Sequence, residues 1–439
     1  MSGIARLLLK AGFRVSGSDL KESRITEELK LSGAKIFIGH NAQNVNEQEA
    51  VVWSSAIKKD NPEMLQAGIL GIPLIKRAEA LADLMRRKTA VTVAGSHGKT
   101  TVTSLISYML IEAGLNPTVA IGGILKNIDS NACLGSGEFF VAEADESDGS
   151  FLNYEPKYSI ITNIDREHLD YYHNFENELK AFKDFIERTQ NNGCVFACSD
   201  DRNLVNLFSG YNRRHLFFGI NNPADIFPRD ILFTGLTSDF DCFYKDKFIS
   251  RFHLNLGGRH NISNALAVIG LGLELGIASS DMRRALEGYQ GARRRLEIKF
   301  KSDKYLVIDD YGHHPTEITA TLAAVANLEV KRKIVIFQPH RYSRTQLLLD
   351  DLAKSFAQVD YLIITDIYAA NEQPVEGIDS MVLLKKIREY SPDKEAIYLT
   401  KEKIAGHIQT IIRPGDLVIT LGAGDIVRVA DALAEELKN

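Results

Sequence analysis

Short apolar runs alternate with helical patterns along almost all of the 439-residue chain. This alternation is typical of parallel β-strands that are joined by helical crossovers. The chain is too long for one core, and at about 150 residues per domain it suggests about three domains. We therefore predict an α/β protein of three domains, which span residues 1–87, 88–294 and 295–439, with the charged stretch 83–88 at the first boundary.

The predicted strands are short and mostly apolar, as expected for strands that are covered on both faces. In the first segment we expect strands at Phe13–Ser16, Lys35–Ile38, Ala50–Trp53 and Ile72–Ile75. In the second we expect Thr89–Ala94, Phe139–Glu143, Tyr158–Thr162 and Cys194–Ala197, then a hairpin within 240–256 and a helix from about Asn261 to Leu275. In the third we expect Tyr305–Asp309, Lys333–Gln338, Tyr361–Thr365, Ala396–Leu399 and Asp416–Leu421.

Charge and apolar content exclude several function classes. Lys plus Arg number 52 against 57 Asp plus Glu, so the net charge of −5 gives no reason to expect nucleic acid as a partner. No apolar run is long enough to cross a membrane, and the N-terminus has no secretory pattern. Cys194 and Cys198 flank a strand, which would put them about 13 Å apart and prevent a disulfide. These features predict a reduced, cytoplasmic protein without a membrane partner.

A strand, a glycine-bearing turn and a helix follow one another from Thr89 onward, in the order that a phosphate-binding loop requires. The turn comprises Gly95, Ser96, His97, Gly98, Lys99, Thr100 and Thr101. Glycines let backbone N–H groups approach an anion, and the helix N-terminus favours negative charge. Lys99 would reach the outer phosphates and the Thr100 hydroxyl would bind Mg²⁺. The spacing is Gly-x-x-Gly-Lys-Thr, shorter than the usual motif.

An acidic run provides oxygen ligands for the metal ion that such a site needs. Glu143 ends the predicted strand Phe139–Glu143, and three more acidic residues follow within Asp145–Asp148. Because neighbouring parallel strands end at one edge of a sheet, Glu143 is the expected metal ligand. His168 lies in the charged stretch after the next strand, where an ordinary solvated histidine is equally compatible with the pattern.

Several sequence blocks together resemble the Mur ligases, ATP-dependent enzymes that add amino acids to the cell-wall peptidoglycan precursor. The blocks, in chain order, are 95–101, 143–148, 258–265, 309–317 and 337–345. The resemblance covers nearly the whole chain and accounts for the shortened phosphate loop. It implies an N-terminal Rossmann-like UDP-binding domain, a central P-loop ATPase domain and a C-terminal Rossmann-like domain. The implied reaction joins L-alanine to the lactyl carboxylate of UDP-N-acetylmuramate through an acyl phosphate, with ATP and Mg²⁺.

The resemblance also assigns roles to individual residues. It implies that Lys99 contacts the ATP phosphates and that Glu143 and His168 bind magnesium. Asn261 and Asn264 match asparagines near the adenine. Arg295 matches an arginine that reaches the phosphates, and Asp310 matches a carboxylate near the reacting groups.

Further candidates concern the amino acid and the UDP sugar. His313 or His314 could assist proton loss from the alanine amine, since an unperturbed imidazole titrates near pH 6.5. His340, Arg341, Arg344 and Asp366 follow third-domain strands and are expected to position the amino acid. Asp19, Ser54 and Ser55 follow first-domain strands and resemble uridine-contacting stretches of the family.

The N-terminus departs from the family pattern. Family members usually open with a strand and a turn resembling Gly-Ile-Gly-Gly-x-Gly, whereas this sequence starts inside that pattern. We therefore expect a UDP-binding domain without its first strand and glycine loop, through an internal start codon or a truncation. Such a chain would bind the UDP substrate weakly and keep its ATP site.

Three other functions remain open on sequence alone. A related Mur ligase attaches recycled tripeptide to UDP-N-acetylmuramate. A nicotinamide-dependent dehydrogenase would use the turn Gly422-Ala423-Gly424-Asp425, although this lacks the third glycine of the usual motif. A non-catalytic nucleotide switch would hydrolyse ATP without an amino acid. The sequence is compatible with a monomer or a homodimer.

Overall fold

The computed structural model describes residues 1–54 and 57–438. It is an α/β protein with mainly parallel sheets, as predicted from the alternating pattern. Its contacts define two compact units. The first comprises Met1–Arg229, Asp241–Phe252 and Ser263–Gln290, and the second comprises Asp230–Phe240, His253–Ile262 and the chain from Gly291 onward. The three-domain boundaries stay a prediction.

The N-terminal segment contains two separate pairs of parallel strands, β1 with β2 and β3 with β4. Its elements are α1 (Ser2–Lys10), β1 (Ser16–Asp19), α2 (Arg24–Leu31), β2 (Lys35–Ile38), β3 (Val51–Trp53), α3 (Pro62–Leu70), β4 (Leu74–Lys76) and α4 (Arg77–Met85). The prediction of β2 is confirmed, whereas the strand expected at Phe13–Ser16 is wrong because β1 only begins at Ser16. Phe13 is 57% exposed, so an apolar residue at this position does not indicate a buried strand.

The middle segment contains the sheet that carries the phosphate loop. Its elements are β5 (Thr89–Ala94), α5 (Lys99–Glu112), β6 (Thr118–Leu125), β7 (Ser130–Cys133), β8 (Phe139–Glu143), β9 (Tyr158–Ile161), α6 (Leu169–Tyr172), α7 (Phe175–Glu187), β10 (Cys194–Cys198), α8 (Arg202–Leu207), β11 (His215–Phe218), β12 (Ile226–Thr234), β13 (Thr237–Tyr244), β14 (Lys247–Leu254), α9 (Arg259–Glu274) and α10 (Ser279–Gly288).

Strand β5 lies between β9 and β8 in the order β11-β10-β9-β5-β8-β6-β7. Both neighbours run parallel to β5, and the register places Val93 opposite Glu143. From Ala90 to Ala94 the strand is buried, as expected for a strand covered on both faces. The carboxyl ends of these strands therefore form one edge, where β8 ends at Glu143 and where the turn that leads to Lys99 leaves β5.

Two predictions for the middle segment concern the hairpin and the long helix. The hairpin is confirmed as β13 and β14, joined by Lys245 and Asp246, whose φ angles of 47° and 63° suit a two-residue turn. The helix is also confirmed, although α9 begins at Arg259, two residues earlier than expected.

The second unit contains a sheet of order β15-β16-β20-β17-β18-β19, in which only the β15–β16 pair is antiparallel. Its elements are β15 (Glu297–Lys301), β16 (Tyr305–Asp310), α11 (Pro315–Ala324), β17 (Arg332–Phe337), α12 (Tyr342–Leu347), α13 (Leu349–Lys354), β18 (Tyr361–Ile364), α14 (Ser380–Tyr390), β19 (Glu395–Tyr398), α15 (Lys401–Ile411), β20 (Asp416–Leu421) and α16 (Val427–Glu436). All five predicted strands are present, within one residue at each end.

Alternate residues of β17 contribute to two different apolar clusters. Val335 and Phe337 pack in one cluster, and Ile334 and Ile336 pack in the other. Because successive strand side chains point to opposite faces, this sheet has a core on both faces. The doubly covered sheet holds the loops at its carboxyl edge on a rigid base.

Two expectations about the whole chain can be compared with the described residues. Within them, no helix is long and apolar enough to span a membrane. Cys133, Cys194, Cys198 and Cys242 are free cysteines.

Candidate functional site

The turn between β5 and α5 requires glycine at two positions. Gly95 has a φ of 123°, and a Cβ there would lie 2.2 Å from Thr162 Oγ1. Gly98 has a φ of 85°, and a Cβ there would lie 2.7 Å from Asn264 Oδ1. Both φ values lie where only glycine is unstrained. The turn is therefore a tight backbone cradle, and Lys99 opens the helix α5 directly after it.

The loop that follows β9 holds this cradle in place. The backbone N–H groups of Ser96 and His97 donate to the carbonyl and side-chain oxygens of Asn163, over 3.0 and 2.9 Å. Asp165 N donates to Ser96 Oγ at 2.8 Å, and Asp165 Oδ2 lies 3.2 Å from His97 Nε2. Sequence reasoning missed Asn163 and Asp165 as supports, although their position directly after a predicted strand was the available signal.

Lys99, which is half-buried, forms an ion pair with the buried Glu146 at the cradle. Its Nζ donates to Glu146 Oε1 at 2.7 Å and to the carbonyl oxygens of Gly95 and Ser96 at 2.5 and 3.1 Å. Burial alone would lower the lysine pKa, but the carboxylates around it, above all Glu146, raise it, so Lys99 stays protonated. Burial raises the pKa of Glu146 to about 7, against the opposing effect of Lys99.

Two predicted metal ligands lie at the same edge of the sheet. Glu143 Oε1 accepts a hydrogen bond from Gly122 N at 2.7 Å. His168 has a φ of 55°, and its Nε2 lies 3.2 Å from Glu167 Oε2 and 3.7 Å from Glu146 Oε1. The other oxygen of Glu146, Oε2, is buried without a hydrogen-bond partner among the described residues. Carboxylate oxygens in this number suit a hard divalent cation such as Mg²⁺.

The remaining first-unit candidates differ in their relation to the cradle. Thr100 and Thr101 follow Lys99 in the first turn of α5, and Thr101 is buried. Asn264 is buried beside Gly98, as described above. Asn261 instead belongs to the second unit, where its Nδ2 donates to Gly257 O at 2.8 Å.

The uridine candidates lie in the N-terminal segment. Asp19 ends β1, and its Oδ1 accepts from Lys21 N at 3.5 Å. Ser54 follows β3 directly, and its carbonyl accepts from Ile57 N at 2.9 Å. Ser55 lies outside the described residues.

In the second unit, the oxygens of Asp310 accept hydrogen bonds from the chain itself. Oδ1 accepts from Gly312 N at 2.8 Å and Thr321 Oγ1 at 3.1 Å, while Oδ2 accepts from Leu296 N at 2.7 Å. Burial raises the pKa of Asp310, and the nearby Arg295 opposes that effect. In this arrangement Asp310 ties the segment around Leu296 to the end of β16.

The structure separates the roles of the two neighbouring histidines. His314 is buried and caps α11, because its Nδ1 accepts from Thr316 N at 3.3 Å. His313 Nδ1 lies 3.1 Å from Tyr311 O and 3.3 Å from Glu317 Oε2, which both favour a proton on Nδ1. His313 therefore has Nε2 as its basic nitrogen, whereas Nδ1 of His314 is engaged by the helix cap.

Two of the four amino-acid candidates, His340 and Arg344, meet in one cluster with His313. His340 packs 5.1 Å from the His313 ring and stacks on Tyr368 at 5.7 Å. Arg344 Nη1 lies 2.9 Å from His340 Nδ1.

Arg341 and Asp366 have other partners. Arg341 N donates to Tyr368 O at 2.9 Å, and its guanidinium Nε lies 4.0 Å from Glu372 Oε1. Asp366 Oδ1 accepts from the Tyr398 hydroxyl at 2.5 Å.

These two groups of residues differ in the chemistry that they can support. The first unit offers a glycine cradle, a half-buried lysine and oxygen ligands, a combination that suits a metal-bound polyphosphate. The second offers guanidinium groups beside a histidine with a basic nitrogen. Guanidinium groups suit a carboxylate or phosphate, and an imidazole can accept a proton from an amine.

Comparison with known proteins gives family matches along most of the chain. Residues 1–89 match the catalytic domain of the Mur ligase family, residues 93–272 match the Mur ligase middle domain, and residues 294–424 match the Mur ligase glutamate ligase domain.

Individual relatives match over nearly their full length. A UDP-N-acetylmuramate–L-alanine ligase of Desulfatibacillum aliphaticivorans is 48% identical over 98% of this chain and 95% of its own. One from Geotalea uraniireducens is 44% identical over 100% and 96%. The crystal structure of UDP-N-acetylmuramate-alanine ligase from Thermotoga maritima, 28% identical, superposes with a TM-score of 0.85 over 100% of this chain and 96% of its own. A murein peptide ligase of Psychrobacter arcticus, 22% identical with a TM-score of 0.72, shares the fold.

Proposed function

The chain belongs to the Mur ligase family, and we propose that it catalyses the ATP-dependent joining of L-alanine to UDP-N-acetylmuramate. The lactyl carboxylate attacks the γ-phosphate of ATP, which gives an acyl phosphate and ADP. The alanine amine then attacks the acyl carbon and releases phosphate. This reaction is a step in the synthesis of the peptidoglycan precursor.

One observation supports the proposal above all others. The half-buried Lys99 lies in a cradle that only glycine permits, at the sheet edge where the register places Glu143. This geometry suits phosphoryl transfer, in which positioning and charge neutralisation supply most of the catalysis. The relatives that match over the full chain have the same reaction in their names.

We assign the charged residues to the first step. A carboxylate and a triphosphate repel each other, so cationic groups must neutralise charge as the new bond forms. Lys99 and Arg295 supply positive charge, and the Gly95 and Gly98 cradle supplies backbone N–H donors. Thr100, Glu143 and His168 would hold Mg²⁺, which supplies Lewis-acid stabilisation of the phosphate oxygens when bound.

We assign the second-unit cluster to the amino acid. Arg341 and Arg344 are cations that suit the alanine carboxylate, and His340 is held between Arg344 and Tyr368. His313 accepts the proton that the alanine amine must lose before it attacks, through the nitrogen that faces away from Tyr311 O and Glu317.

We place the enzyme in the cytoplasm, with small molecules as its partners. The substrates are small molecules, and ATP together with four free thiols is consistent with a cytoplasmic enzyme. Asp19, Ser54 and Ser55 remain the candidates for contact with the uridine.

A phosphate-release assay tests the function. The purified chain is incubated with ATP, Mg²⁺ and a wide range of UDP-N-acetylmuramate concentrations, with L-alanine or with the recycled tripeptide. We expect rapid release only with L-alanine, together with the alanyl product by mass spectrometry. Faster release with the tripeptide would favour the related ligase. Release that is independent of both acceptors would contradict the ligase function.

A further inference from the structure

The turn Gly422–Gly424 after β20 binds a side chain of the protein itself. Arg294 Nη2 donates to Gly422 O at 2.6 Å, and Nη1 donates to Gly424 O at 2.9 Å and Ala423 O at 3.4 Å. The turn therefore presents carbonyl oxygens to a cation. A dinucleotide-binding turn would instead present N–H groups to phosphates, so this geometry disagrees with the dehydrogenase alternative.

A buried carboxylate completes the surroundings of Arg294. Its Nε donates to Asp309 Oδ2 at 3.0 Å, and Asp309 is fully buried. Thr420 Oγ1 donates to the other oxygen, Oδ1, at 2.7 Å. All three nitrogens of the guanidinium therefore have partners in the loops and strand ends at the carboxyl edge of the sheet, which fixes its orientation.

The guanidinium of Arg294 lies against the ring of Tyr311, which Arg295 also contacts. The Cζ atoms of Arg294 and Arg295 lie 5.1 and 5.0 Å from the ring centre of Tyr311. Tyr311 N also donates to Arg294 O at 2.7 Å. A ring held on one side by an immobile cation is a fixed support for the second cation.

The glycine turn extends this arrangement to His340. A Cβ on Gly424 would lie 2.6 Å from Tyr368 Cγ, so glycine is what lets the Tyr368 ring approach. Tyr368 in turn stacks on His340 with an interplanar angle of 12°. Arg294 and the turn therefore support both Tyr311 and the ring pair in the amino-acid cluster.

We propose that Arg294 is a positioning residue that, from its site in the Gly422–Gly424 turn, holds Tyr311 and thereby sets the orientation of Arg295. The inference rests on the proposed function, because Arg295 is assigned there to charge neutralisation in phosphoryl transfer. The charge of Arg294 is committed to Asp309 and the three carbonyl groups, so its proposed role is to position other residues.

A pair of Arg→Lys variants tests the proposal. Arg332 is a matched control, since it binds the buried Asp416 and Ile411 O at the amino edge of the same sheet. We expect R294K and R332K to lower Tm by similar amounts. R294K should also lower kcat by about tenfold to a hundredfold with the KM for ATP changed less than about threefold, because small displacements of catalytic groups are costly. R332K should keep its kcat. Equal kcat values in the two variants would overturn the proposal.

Non-additivity gives a second test. Tyr311→Leu should lower kcat as much as R294K, and the double variant should show little further loss, because both changes act through one contact. If the fold loss of kcat in the double variant equals the product of the two single losses, Arg294 does not act through Tyr311.

A readout without turnover separates this proposal from the proposed function. The Nε signal of Arg295 in ¹⁵N NMR, assigned through R295K, should shift in R294K and stay in place in R332K. An unchanged signal in R294K would overturn the positioning role. If the wild-type chain shows no alanine-dependent phosphate release, the proposed function is contradicted. The NMR result would still decide whether Arg294 positions Arg295.

Discussion

Lys99 Nζ and Glu146 Oε1 lie 2.7 Å apart in an ion pair whose carboxylate is buried, with the Glu146 side chain 1% exposed and that of Lys99 18% exposed. Each partner compensates the charge of the other, so Lys99 stays protonated at the glycine cradle. Removing either partner would leave the remaining charge without compensation. When a polyphosphate binds, its anionic oxygens would replace Glu146 as the partner of Lys99.

Lys99→Met should therefore abolish most ATP-dependent activity. We expect kcat/KM for ATP to fall by about a hundredfold to a thousandfold, the usual effect of removing a group that stabilises transition-state charge. Steady-state kinetics and calorimetric titration with an ATP analogue measure the change. Lys88 lies just before β5 and donates to the carbonyl groups of Gly135 and Gly137, so K88M serves as the control. An equal loss in K88M would show that the effect of K99M is only structural.

The cradle itself should not tolerate a methyl group. In Gly95→Ala the new Cβ would clash with Thr162 Oγ1 at 2.2 Å, and the φ of 123° adds strain. We expect the free energy of unfolding to fall by more than about 2 kcal/mol, with loss of nucleotide binding. Gly114 has a φ of 74° but open space around it, so G114A should cost only about 1 kcal/mol. Urea denaturation compares the two, and equal costs would rule out the clash as the cause.

The two histidines should respond differently to substitution. His314→Asn keeps a helix cap and should retain both stability and activity, whereas His314→Ala should lose about 1 kcal/mol of stability. His313→Ala should fold normally and lower kcat by about a hundredfold, in the range of general-base catalysis. Circular dichroism and phosphate release measure both properties. A normal kcat in H313A would remove His313 from the mechanism.

Stability should fall between pH 6.5 and 4 because of His260. Burial lowers the pKa of its imidazole to about 4, and Arg295 adds to the effect while Glu317 opposes it. Above pH 6.5 the ring is neutral in both folded and unfolded chains. As the pH falls towards 4 the unfolded chain takes up the proton first, so the folded state loses at most about 3 kcal/mol.

His260→Asn should flatten this part of the pH–stability curve, measured by urea denaturation at several pH values. An unchanged slope in the variant would assign the acid sensitivity to other groups.

Several of the strands that were predicted correctly have a local pattern that reflects their burial, although β2 was also predicted correctly and has no buried residue. β5, β8 and β20 are mostly apolar, and their predicted bounds match the structure. β6 was missed because Gly122 and Gly123 interrupt its pattern, and β12 because Pro228 and charged residues lie within it. Local pattern cannot reveal a strand whose side chains are stabilised mainly by its neighbours in the sheet.

Some residues of the candidate site could likewise be predicted from the sequence, and others could not. Lys99 and Glu143 could be placed from sequence because Glu143 ends one recognised strand and Lys99 begins the helix after the turn that follows another. The contacts of Glu146 with Lys99, of Asn163 with the cradle and of Arg294 with the Gly422–Gly424 turn join residues 47, 66 and 128 to 130 positions apart. Such pairings depend on how the loops fold back on the sheet, which no local periodicity encodes.

The pairing of Val93 with Glu143 also determines which length changes the protein can survive. Deleting one residue within β8 would turn every following side chain to the opposite face and carry the carboxylate away from the cradle. A residue added in the loop after Glu143 would leave that carboxylate in place. Insertions and deletions should therefore accumulate in the connecting segments, while the two strands keep a constant length.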